Sequence, residues 1–375
     1  MPKPPVVVLS GVRWDFLWQR HQTIATLFSR AGYPTVFVET TGLANPRIPS
    51  LPKVAARVRG SGKGRGQAGG PVVYPPLVLP PTSRVFRVAN RRLFLPRVAR
   101  DVVKILGKSP VVVAYPPTRT TLDLISALGP RLVLYDRADD YARSPGVPSD
   151  IWATERELLL RADLVSCTST PLLEGARAVR PDTFLSGPAV DYERFAALQD
   201  HSPAVPPRTV GFFGDAGRGR VDFDVFRAVV GAGFRLRLVG ALDGAERKLA
   251  DDKNVEYLGE VDHRRLPEAL SGVDAFVLPY KTNGLTRAIS PAKTFECLAT
   301  GRPVVAAPLP ALKELAGHVY LADEPDGFLR SLRELGGTET GERVAARTRL
   351  ARENSWDARF GEMERRVLRV LGDRP

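Results

Sequence analysis

The sequence predicts an α/β protein made of two doubly wound domains, and two series of short apolar segments are the main evidence. Each segment holds several β-branched residues in a row and precedes a stretch with helical periodicity. Continuous apolar runs of this kind are typical of parallel strands that are buried on both faces. A chain of 375 residues is also too long for one ordinary core, which favours two domains.

The first series of predicted strands lies in the N-terminal half. A helix near Leu17–Ala31 follows its first strand, and further helices are predicted over Thr120–Leu128 and Ile151–Arg161. The strands are PVVVLS (Pro5–Ser10), TVFVET (Thr35–Thr40), PVVVAY (Pro110–Tyr115), RLVLYD (Arg131–Asp136) and ADLVSCTS (Ala162–Ser169). Helices between parallel strands form right-handed crossover units. We therefore predict an N-terminal domain over residues 1–200.

The second series predicts a C-terminal domain over residues 209–340. Its strands are TVGFFG (Thr209–Gly214), FRLRLVG (Phe234–Gly240), VEYLG (Val255–Gly259), DAFVLPY (Asp274–Tyr280), RPVVAA (Arg302–Ala307) and VYLA (Val319–Ala322). The Pro-rich segment His201–Arg208 interrupts the periodicity, and we interpret it as a hinge. Residues 341–375 form a polar helical segment that we expect to pack back towards the N-terminal domain. Two such domains are expected to face each other across a cleft and to bind a ligand there, at the carboxyl ends of the strands.

Composition excludes several classes of protein. The fractions of apolar (43%) and charged (25%) residues are those of a soluble globular protein. The sequence has no run of 18 apolar residues, so we do not expect a transmembrane helix. The N-terminus does not resemble a secretory signal. Two cysteines and four scattered histidines offer neither a disulfide framework nor zinc-ligand spacing. We therefore expect a cytoplasmic protein without a bound metal ion.

The net charge of +13 is concentrated in a basic arm at about residues 43–100. Between Glu39 and Asp101 the chain has twelve Lys and Arg and no acidic residue. Such a segment attracts phosphates, an anionic membrane or nucleic acid. Within it, Arg84–Arg100 alternates arginines with Val85, Val88, Leu93, Leu95 and Val98, as in an interfacial helix that Pro96 would end or kink.

The stretch ISPAKTFECLATGRPVVAA places a lone carboxylate, Glu296, early in an apolar helix. Ser290 suits the N-cap and Pro291 the first turn, whose unpaired N–H groups can hold a diphosphate. Lys293 lies three residues before Glu296 on the same face. A carboxylate at this position can accept hydrogen bonds from both hydroxyls of a ribose. The alternative is a solvated glutamate on an amphipathic helix, which spacing alone favours.

Two loops supply further candidates. GDAGRGR (Gly214–Arg220) has glycines that permit close backbone approach, and Arg218 or Arg220 could neutralise charge on a leaving nucleotide, although a turn with solvated arginines is equally compatible. GVRW places Arg13 and Trp14 after the first strand, where they could approach a donor or an acceptor.

Acid–base candidates are few. Asp136, Asp139 and Asp140 cluster just past the end of a predicted strand. Arg20 and His21 begin a predicted helix near the same edge. Capping and solvation are the alternative for Asp139 and Asp140, and a helix-surface role is the alternative for His21. A Ser–His–Asp order and a nucleophile elbow are both missing from the sequence, so a hydrolase has little support.

A resemblance to a known family narrows these alternatives. Asn254–Ala307 is similar to the nucleotide-sugar-binding region of GT-B glycosyltransferases of family 4 (glycosyl transferases group 1), with a strand and LG, a D-apolar-P strand and E-x-x-A-x-G-x-PVV in the same order. Trp18–Glu39, Leu134–Tyr141, Glu155–Leu172 and Pro188–Phe195 resemble N-terminal segments of that family, especially a bacterial subgroup of cell-surface polysaccharide and natural-product biosynthesis. The resemblance implies a GT-B fold with two Rossmann-like domains.

The resemblance also implies a function. The C-terminal domain would bind a UDP-, dTDP- or GDP-sugar, the N-terminal domain would bind the acceptor, and the sugar would be transferred with retention of anomeric configuration and without a cofactor or metal ion. The implied donor-nucleotide residues are Glu296, Lys293, Ser290, Pro291, Arg218, Arg220, Gly214 and Tyr280. The residues for the donor sugar or acceptor are Arg13, Trp14, Arg20, Arg287 and Ile289, and the catalytic candidates are Asp139, Asp140 and His21. Ala288 replaces the first glutamate of the family motif, so Arg287 or backbone amides of Asn283–Ser290 would contact the donor sugar instead.

Other functions remain open at this stage. A sugar-nucleotide 2-epimerase shares the architecture but depends on several acidic and histidine residues around the sugar, and histidine is scarce here. The basic arm could bind nucleic acid, but its few aromatics, Tyr74, Phe86 and Phe94, make base stacking a weak expectation. We therefore expect an acceptor sugar, a lipid-linked sugar or a small aglycone as the second partner, peripheral contact with the inner face of an anionic membrane, and no nucleic acid.

Overall fold

The computed structural model forms two compact units. They comprise Met1–Ser186 with Phe360–Pro375, and Gly187–Arg359. The residues that the structure describes are 3–15, 18–39, 64–66, 69–79, 83–107, 109–144, 146–200, 206–217, 219–242, 244–283, 286 and 291–372. Residues 43–63, 67–68 and 80–82 of the basic arm, and residues 201–205 of the predicted hinge, lie outside these ranges.

The first unit contains a seven-stranded parallel sheet with the order β3-β2-β1-β4-β5-β6-β7. Its strands are β1 (Val6–Leu9), β2 (Thr35–Val38), β3 (Val72–Tyr74), β4 (Val111–Ala114), β5 (Leu132–Arg137), β6 (Leu164–Cys167) and β7 (Phe184–Leu185). Its helices are α1 (Arg20–Arg30), α2 (Arg84–Ala89), α3 (Leu95–Leu106), α4 (Arg119–Leu128), α5 (Ile151–Arg161) and α6 (Thr170–Arg177).

The second unit contains a six-stranded parallel sheet with the order β10-β9-β8-β11-β12-β13. Its strands are β8 (Thr209–Phe213), β9 (Arg235–Val239), β10 (Val255–Tyr257), β11 (Ala275–Leu278), β12 (Val304–Ala306) and β13 (Tyr320–Leu321). The helices that follow are α7 (Tyr192–Ala196), α8 (Phe223–Gly231), α9 (Leu266–Ala269), α10 (Lys293–Ala299), α11 (Pro310–Lys313), α12 (Pro325–Thr338), α13 (Gly341–Glu353) and α14 (Trp356–Gly372).

The predicted α/β fold with two parallel sheets flanked by helices is confirmed. Every side chain of β1 and β4 is fully buried, and the two strands pair in register from Val6–Val111 to Leu9–Ala114. The short strands β3 and β7 were not predicted. β3 lies within the basic arm and β7 has only two residues, so neither carries a long apolar run.

Three glycines form tight turns at the carboxyl ends of neighbouring strands in the second unit. Gly214 follows β8, Gly240 follows β9 and Gly259 lies just beyond β10, with φ angles of 95°, 133° and 66°. These positive φ angles favour glycine. A Cβ atom on Gly240 would lie 2.2 Å from the Gly214 carbonyl oxygen. The backbone at this edge of the sheet therefore packs too closely for a side chain at Gly240.

The first residues of the second unit are hydrogen-bonded to residues later in that unit. Backbone hydrogen bonds join Val190 to Asn354 and Trp356, and the Gln199 side chain donates to the Ala299 carbonyl at 2.6 Å. Residues from Gly187 onwards therefore group with the second unit, whereas the sequence prediction ended the first domain at residue 200. From Phe360 the last helix groups with the first unit, where the Phe360 and Phe28 rings lie 4.9 Å apart.

The helical region Arg84–Leu106 is interrupted by a π-helical turn over Asn90–Phe94. Pro96, which has no N–H group, follows directly and lies in the first turn of α3. Leu95 and Val98 face the core instead of solvent, so the predicted interfacial face loses these two residues, while Val85, Val88 and Leu93 remain exposed. None of the described helices is long and apolar enough to cross a membrane.

Candidate functional site

An amino group at the carboxyl edge of the second sheet rests on aromatic rings. The Nζ atom of Lys293 lies 4.3 Å from the centre of the Phe212 ring, 5.5 Å from that of Tyr280 and 5.9 Å from that of Phe213. Phe212 and Phe213 end β8, and Tyr280 follows the adjacent strand β11. Ring faces attract cations, so the three rings hold the ammonium group at the edge of the sheet.

Gly214 provides the space that this ammonium group occupies. A Cβ atom on Gly214 would lie 2.9 Å from Lys293 Nζ, so a larger residue would displace the amine. The loop continues with Asp215, whose carboxylate accepts from the Gly217 N–H at 2.9 Å and lies 3.5 Å from Arg220. The structure therefore brings together three residues that the sequence predicted for the nucleotide: Lys293, Gly214 and Tyr280.

The pKa of the Lys293 amine is lower than that of an ordinary lysine. Burial lowers the pKa of Lys293 to about 8, although charge interactions with Cys297, Glu296 and Asp215 partly raise it. Within the described part of the chain, no carboxylate forms an ion pair with this amine. A half-buried cation without a carboxylate partner is suited to an anionic ligand, because the ligand would supply the missing countercharge.

Glu296 lies one turn further along α10 and is held by a histidine. Its Oε1 atom lies 2.8 Å from Nε2 of His263, which begins a 3₁₀ turn after β10. The hydrogen bond to Glu296 raises the pKa of His263, against the opposing effect of burial. The side chain of Glu296 is 13% exposed and that of His263 35%. The carboxylate is thus oriented and still reachable from solvent.

The start of this helix differs from the prediction. α10 begins at Lys293 with Ala292 as its N-cap, and no side chain caps it. Pro291 therefore precedes the helix, and the assignment of Pro291 to the first turn and of Ser290 to the N-cap is wrong by two residues. The backbone already bonds in 3₁₀ fashion here, from the Thr294 N–H to the Pro291 carbonyl at 3.0 Å, so a side-chain cap is not needed.

Several predicted residues lie outside the described part of the chain. They are Arg218, Arg287, Ile289 and Ser290, together with Ala288 at the position of the missing family glutamate. Their proposed contacts with the donor therefore stay predictions.

The first unit buries an ion pair at the carboxyl edge of its own sheet. Arg20 Nε donates to Asp136 Oδ2 at 2.6 Å, and its NH2 group lies 3.2 Å from Oδ1 and 2.8 Å from the Ser186 hydroxyl. Ser166 also donates to Asp136, at 2.7 Å. Asp136 is fully buried. Because a buried charge is stable only when it is paired and hydrogen-bonded, Arg20 is engaged in holding Asp136.

His21 lies beside this pair and is buried. Its Nδ1 atom is 2.9 Å from the Ser10 hydroxyl, and its ring stacks on Tyr115 with the centres 3.6 Å apart. Burial lowers the pKa of His21 to about 3, although Asp136 acts in the opposite direction. The imidazole is therefore neutral at physiological pH and is a weak base.

The other N-terminal candidates are more exposed. Arg13 pairs with Asp15 at 2.7 Å. The backbone N–H of Trp14 donates to the Glu39 carboxylate, and the Trp14 ring packs on Phe37. Asp139 is exposed, and Asp140 lies 3.2 Å from Arg143. The structure does not bring these two aspartates into the buried Arg20–Asp136 pair.

Sequence reasoning missed His263, the aromatic bed beneath Lys293, and the Ser10 and Tyr115 contacts of His21. The spacing of His263 in the sequence fits no metal site. Its contact with Glu296 spans 33 residues, and a single sequence has no local signal for such a pair.

Comparison with known proteins gives a family match for a segment of the second unit. Residues 209–336 match the family described as glycosyl transferases group 1, and this range contains Gly214, His263, Lys293 and Glu296. This segment of the second unit is similar to that family. The predicted resemblance is therefore confirmed.

Relatives extend the comparison beyond the group 1 segment. The chain is 26% identical over 248 residues to TuaH of Bacillus subtilis (strain 168), which is named for glycosyl transfer in teichuronic acid biosynthesis. That alignment covers 59% of this chain and 60% of TuaH, so the chain matches less than two thirds of this relative.

Solved structures show that the GT-B fold extends over nearly the whole chain. Sucrose-phosphate synthase from Thermosynechococcus elongatus superposes with a TM-score of 0.64 and 16% identity, over 99% of this chain and 100% of that one. Anabaena HepE in complex with UDP gives a TM-score of 0.62 and 14% identity, over 97% and 99% of the two chains.

Replacing Lys293 with Met should change how stability depends on pH. Between about pH 8 and the ordinary lysine pKa of about 10.4, the unfolded chain binds a proton that the folded wild type has lost, so the free energy of unfolding rises with pH. Lys293→Met removes this rise. The variant should be more stable than the wild type at pH 7, and the difference should shrink towards pH 10 in urea denaturation.

Lys281→Met is the matched control, because Lys281 is an exposed lysine of the same unit. The difference between this control and the wild type should not depend on pH. Parallel stability profiles for Lys293→Met and the wild type would show that the Lys293 amine is solvated.

Proposed function

We propose that the chain transfers a sugar from a nucleotide-sugar donor to an acceptor hydroxyl. The observation that carries the proposal is the pair of charged side chains on α10 at the carboxyl edge of the second sheet. They are an oriented carboxylate and a half-buried amine that has no carboxylate partner among the described residues. Parallel α/β sheets bind ligands at this edge. A nucleoside diphosphate offers one group for each side chain, an anion for Lys293 and a diol for Glu296.

Each part of the donor has a place in this proposal. The diphosphate lies near Lys293, and the turn at Gly214 permits close backbone approach. Arg220, which is exposed in the same loop, adds positive charge as the nucleotide leaves. The ribose hydroxyls donate to Glu296. In this scheme protein cations offset the diphosphate charge, and the nucleotide-sugar is a co-substrate instead of a resident cofactor.

The first unit would bind the acceptor. Arg13, Trp14 and the buried Arg20–Asp136 pair lie at or near the carboxyl edge of its sheet. UDP is a reasonable first probe for the donor, because the HepE structure contains UDP.

Glu296→Ala should weaken the binding of UDP by about ten- to a hundredfold. Hydrogen bonds to a charged group contribute roughly 1.5–3 kcal/mol, and each 1.4 kcal/mol is tenfold in affinity. The melting temperature should change little, because a solvent-reachable ion pair adds little to stability. Isothermal titration calorimetry with UDP, dTDP and GDP measures the loss and identifies the base.

Glu268→Ala provides the control for this variant, since Glu268 is an exposed glutamate of the same unit. It should bind the nucleotide like the wild type. An unchanged affinity in folded Glu296→Ala would return Glu296 to the role of a solvated helix residue.

We also propose that transfer retains the anomeric configuration, as the resemblance to family 4 implies. The leaving phosphate would then help to deprotonate the acceptor, and a separate base is not required. Proton NMR of the first-formed product should show the same anomeric configuration as the donor. An inverted product would instead make Asp139 or Asp140 a candidate base, and His21 a weaker one because its pKa is about 3.

We further propose that a surface of the first unit binds an anionic phospholipid bilayer. Val85 is 74% exposed, and Phe86, Val88 and Leu93 are exposed on the same helical region. Arg87 forms an ion pair with Asp150, two residues before Trp152, whose side chain is 60% exposed. Arg84, Arg91 and Arg92 are exposed around these apolar groups. A tryptophan and aliphatic side chains among arginines fit the headgroup region of a bilayer.

Replacing Arg84, Arg91 and Arg92 together with Glu should abolish sedimentation with vesicles of phosphatidylglycerol and phosphatidylcholine. Each basic residue near an anionic surface contributes roughly 1 kcal/mol, so three reversals should lower the affinity by more than a hundredfold. The control replaces Arg330, Arg333 and Arg349 with Glu. These are exposed positions of the second unit, so the change in net charge is the same, and this variant should still bind the vesicles. A wild type that ignores these vesicles at low salt would refute the membrane proposal.

A further inference from the structure

We propose that His263 is a positioning residue for the donor ribose, which acts by fixing the Glu296 carboxylate in the orientation that receives two hydroxyl groups. This inference rests on the proposed function, since it assigns a role within the same site. The observation behind it is the 2.8 Å contact between His263 Nε2 and Glu296 Oε1.

The hydrogen bond leaves the carboxylate with enough acceptor capacity for a diol. A carboxylate has two oxygens and about four lone-pair sites. His263 uses one of them, and no other described residue is hydrogen-bonded to this carboxylate. The Oε2 atom and the second site on Oε1 can therefore still accept from two hydroxyl groups.

His263 is itself held in place, so it can serve as a support. Asp262 caps its 3₁₀ turn by accepting from the Arg264 N–H at 2.8 Å. The buried Phe195 of α7 lies beside the imidazole, with the ring centres 6.1 Å apart. Asp191 and Arg194, an ion pair at the same helix, also face His263. Asp191 raises the pKa of His263 and Arg194 lowers it. The imidazole thus sits between a capped turn and a packed helix.

Orientation matters because the glutamate side chain has several rotatable bonds. Ordering such a side chain costs conformational entropy. When His263 fixes the carboxylate in advance, binding of the ribose no longer bears that cost. Because both side chains are reachable from solvent, the pair should matter more for binding than for stability.

A comparison of UDP with 2′-deoxy-UDP separates positioning from a structural role. His263→Ala should lower the affinity for UDP about three- to tenfold, since roughly 1 kcal/mol of ribose-specific binding is lost. Its affinity for 2′-deoxy-UDP should stay within about twofold of the wild-type value. His263→Gln should restore most of the UDP affinity, because an amide can donate where Nε2 does. Adding His263→Ala to Glu296→Ala should cause no further loss, which is the non-additivity expected when one residue acts through another.

Arg264→Ala is the control for disturbance of the turn, because Arg264 is exposed and its capping N–H is retained. It should bind both nucleotides like the wild type. Equal losses for UDP and 2′-deoxy-UDP in His263→Ala, or additive losses in the double variant, would refute the positioning role. If Glu296→Ala weakens UDP and His263→Ala does not, this inference fails and the proposed function stands. If the wild type binds no nucleoside diphosphate, the proposed function itself fails.

Discussion

The central strands of both parallel sheets are covered on both faces, and this constraint determines where polar groups can lie. The side chains of β1, β2, β4 and β11 are all buried, so a charge within these strands would have to be paired at a high cost in desolvation. Charged and hydroxyl side chains are therefore concentrated at the ends of the strands. At the carboxyl ends the chain turns into helices, and the described candidates for chemistry lie in or next to these turns.

The two units differ in how the charged side chains at the carboxyl edge of each sheet are partnered. The first unit pairs Arg20 with Asp136, satisfies both with serine hydroxyls and keeps His21 neutral by burial. The second unit holds Lys293 on aromatic rings, and among the residues that the structure describes only His263 is hydrogen-bonded to the Glu296 carboxylate. In the first arrangement both charges already have protein partners. The second has unused capacity for both an anion and a hydroxyl donor, which is why the donor proposal rests on this unit.

Glycine makes the second arrangement possible. Gly214 leaves room for the Lys293 amine, and Gly240 lets two turns of the backbone approach each other more closely than any Cβ would allow. An alanine at either position would also have to adopt a positive φ angle. The missing Cβ of Gly214 thus leaves the space in which the amine sits, and Gly240 allows close packing against the turn that carries Gly214.

By itself, the sequence determined the strands, their order of appearance and the family motif around Glu296. Those features are local, because a buried strand is read from consecutive β-branched residues and a motif from fixed spacing. The short strands β3 and β7, the start of α10 at Lys293 and the burial of Leu95 and Val98 were not determined in this way, since tertiary packing overrides weak local preferences. Only the tertiary structure paired His263 with Glu296 and placed Lys293 over Phe212, because these contacts join residues that are 33 and 81 positions apart in the chain. The sheet topology decides which strand ends become neighbours, and a single sequence contains no local pattern for that choice.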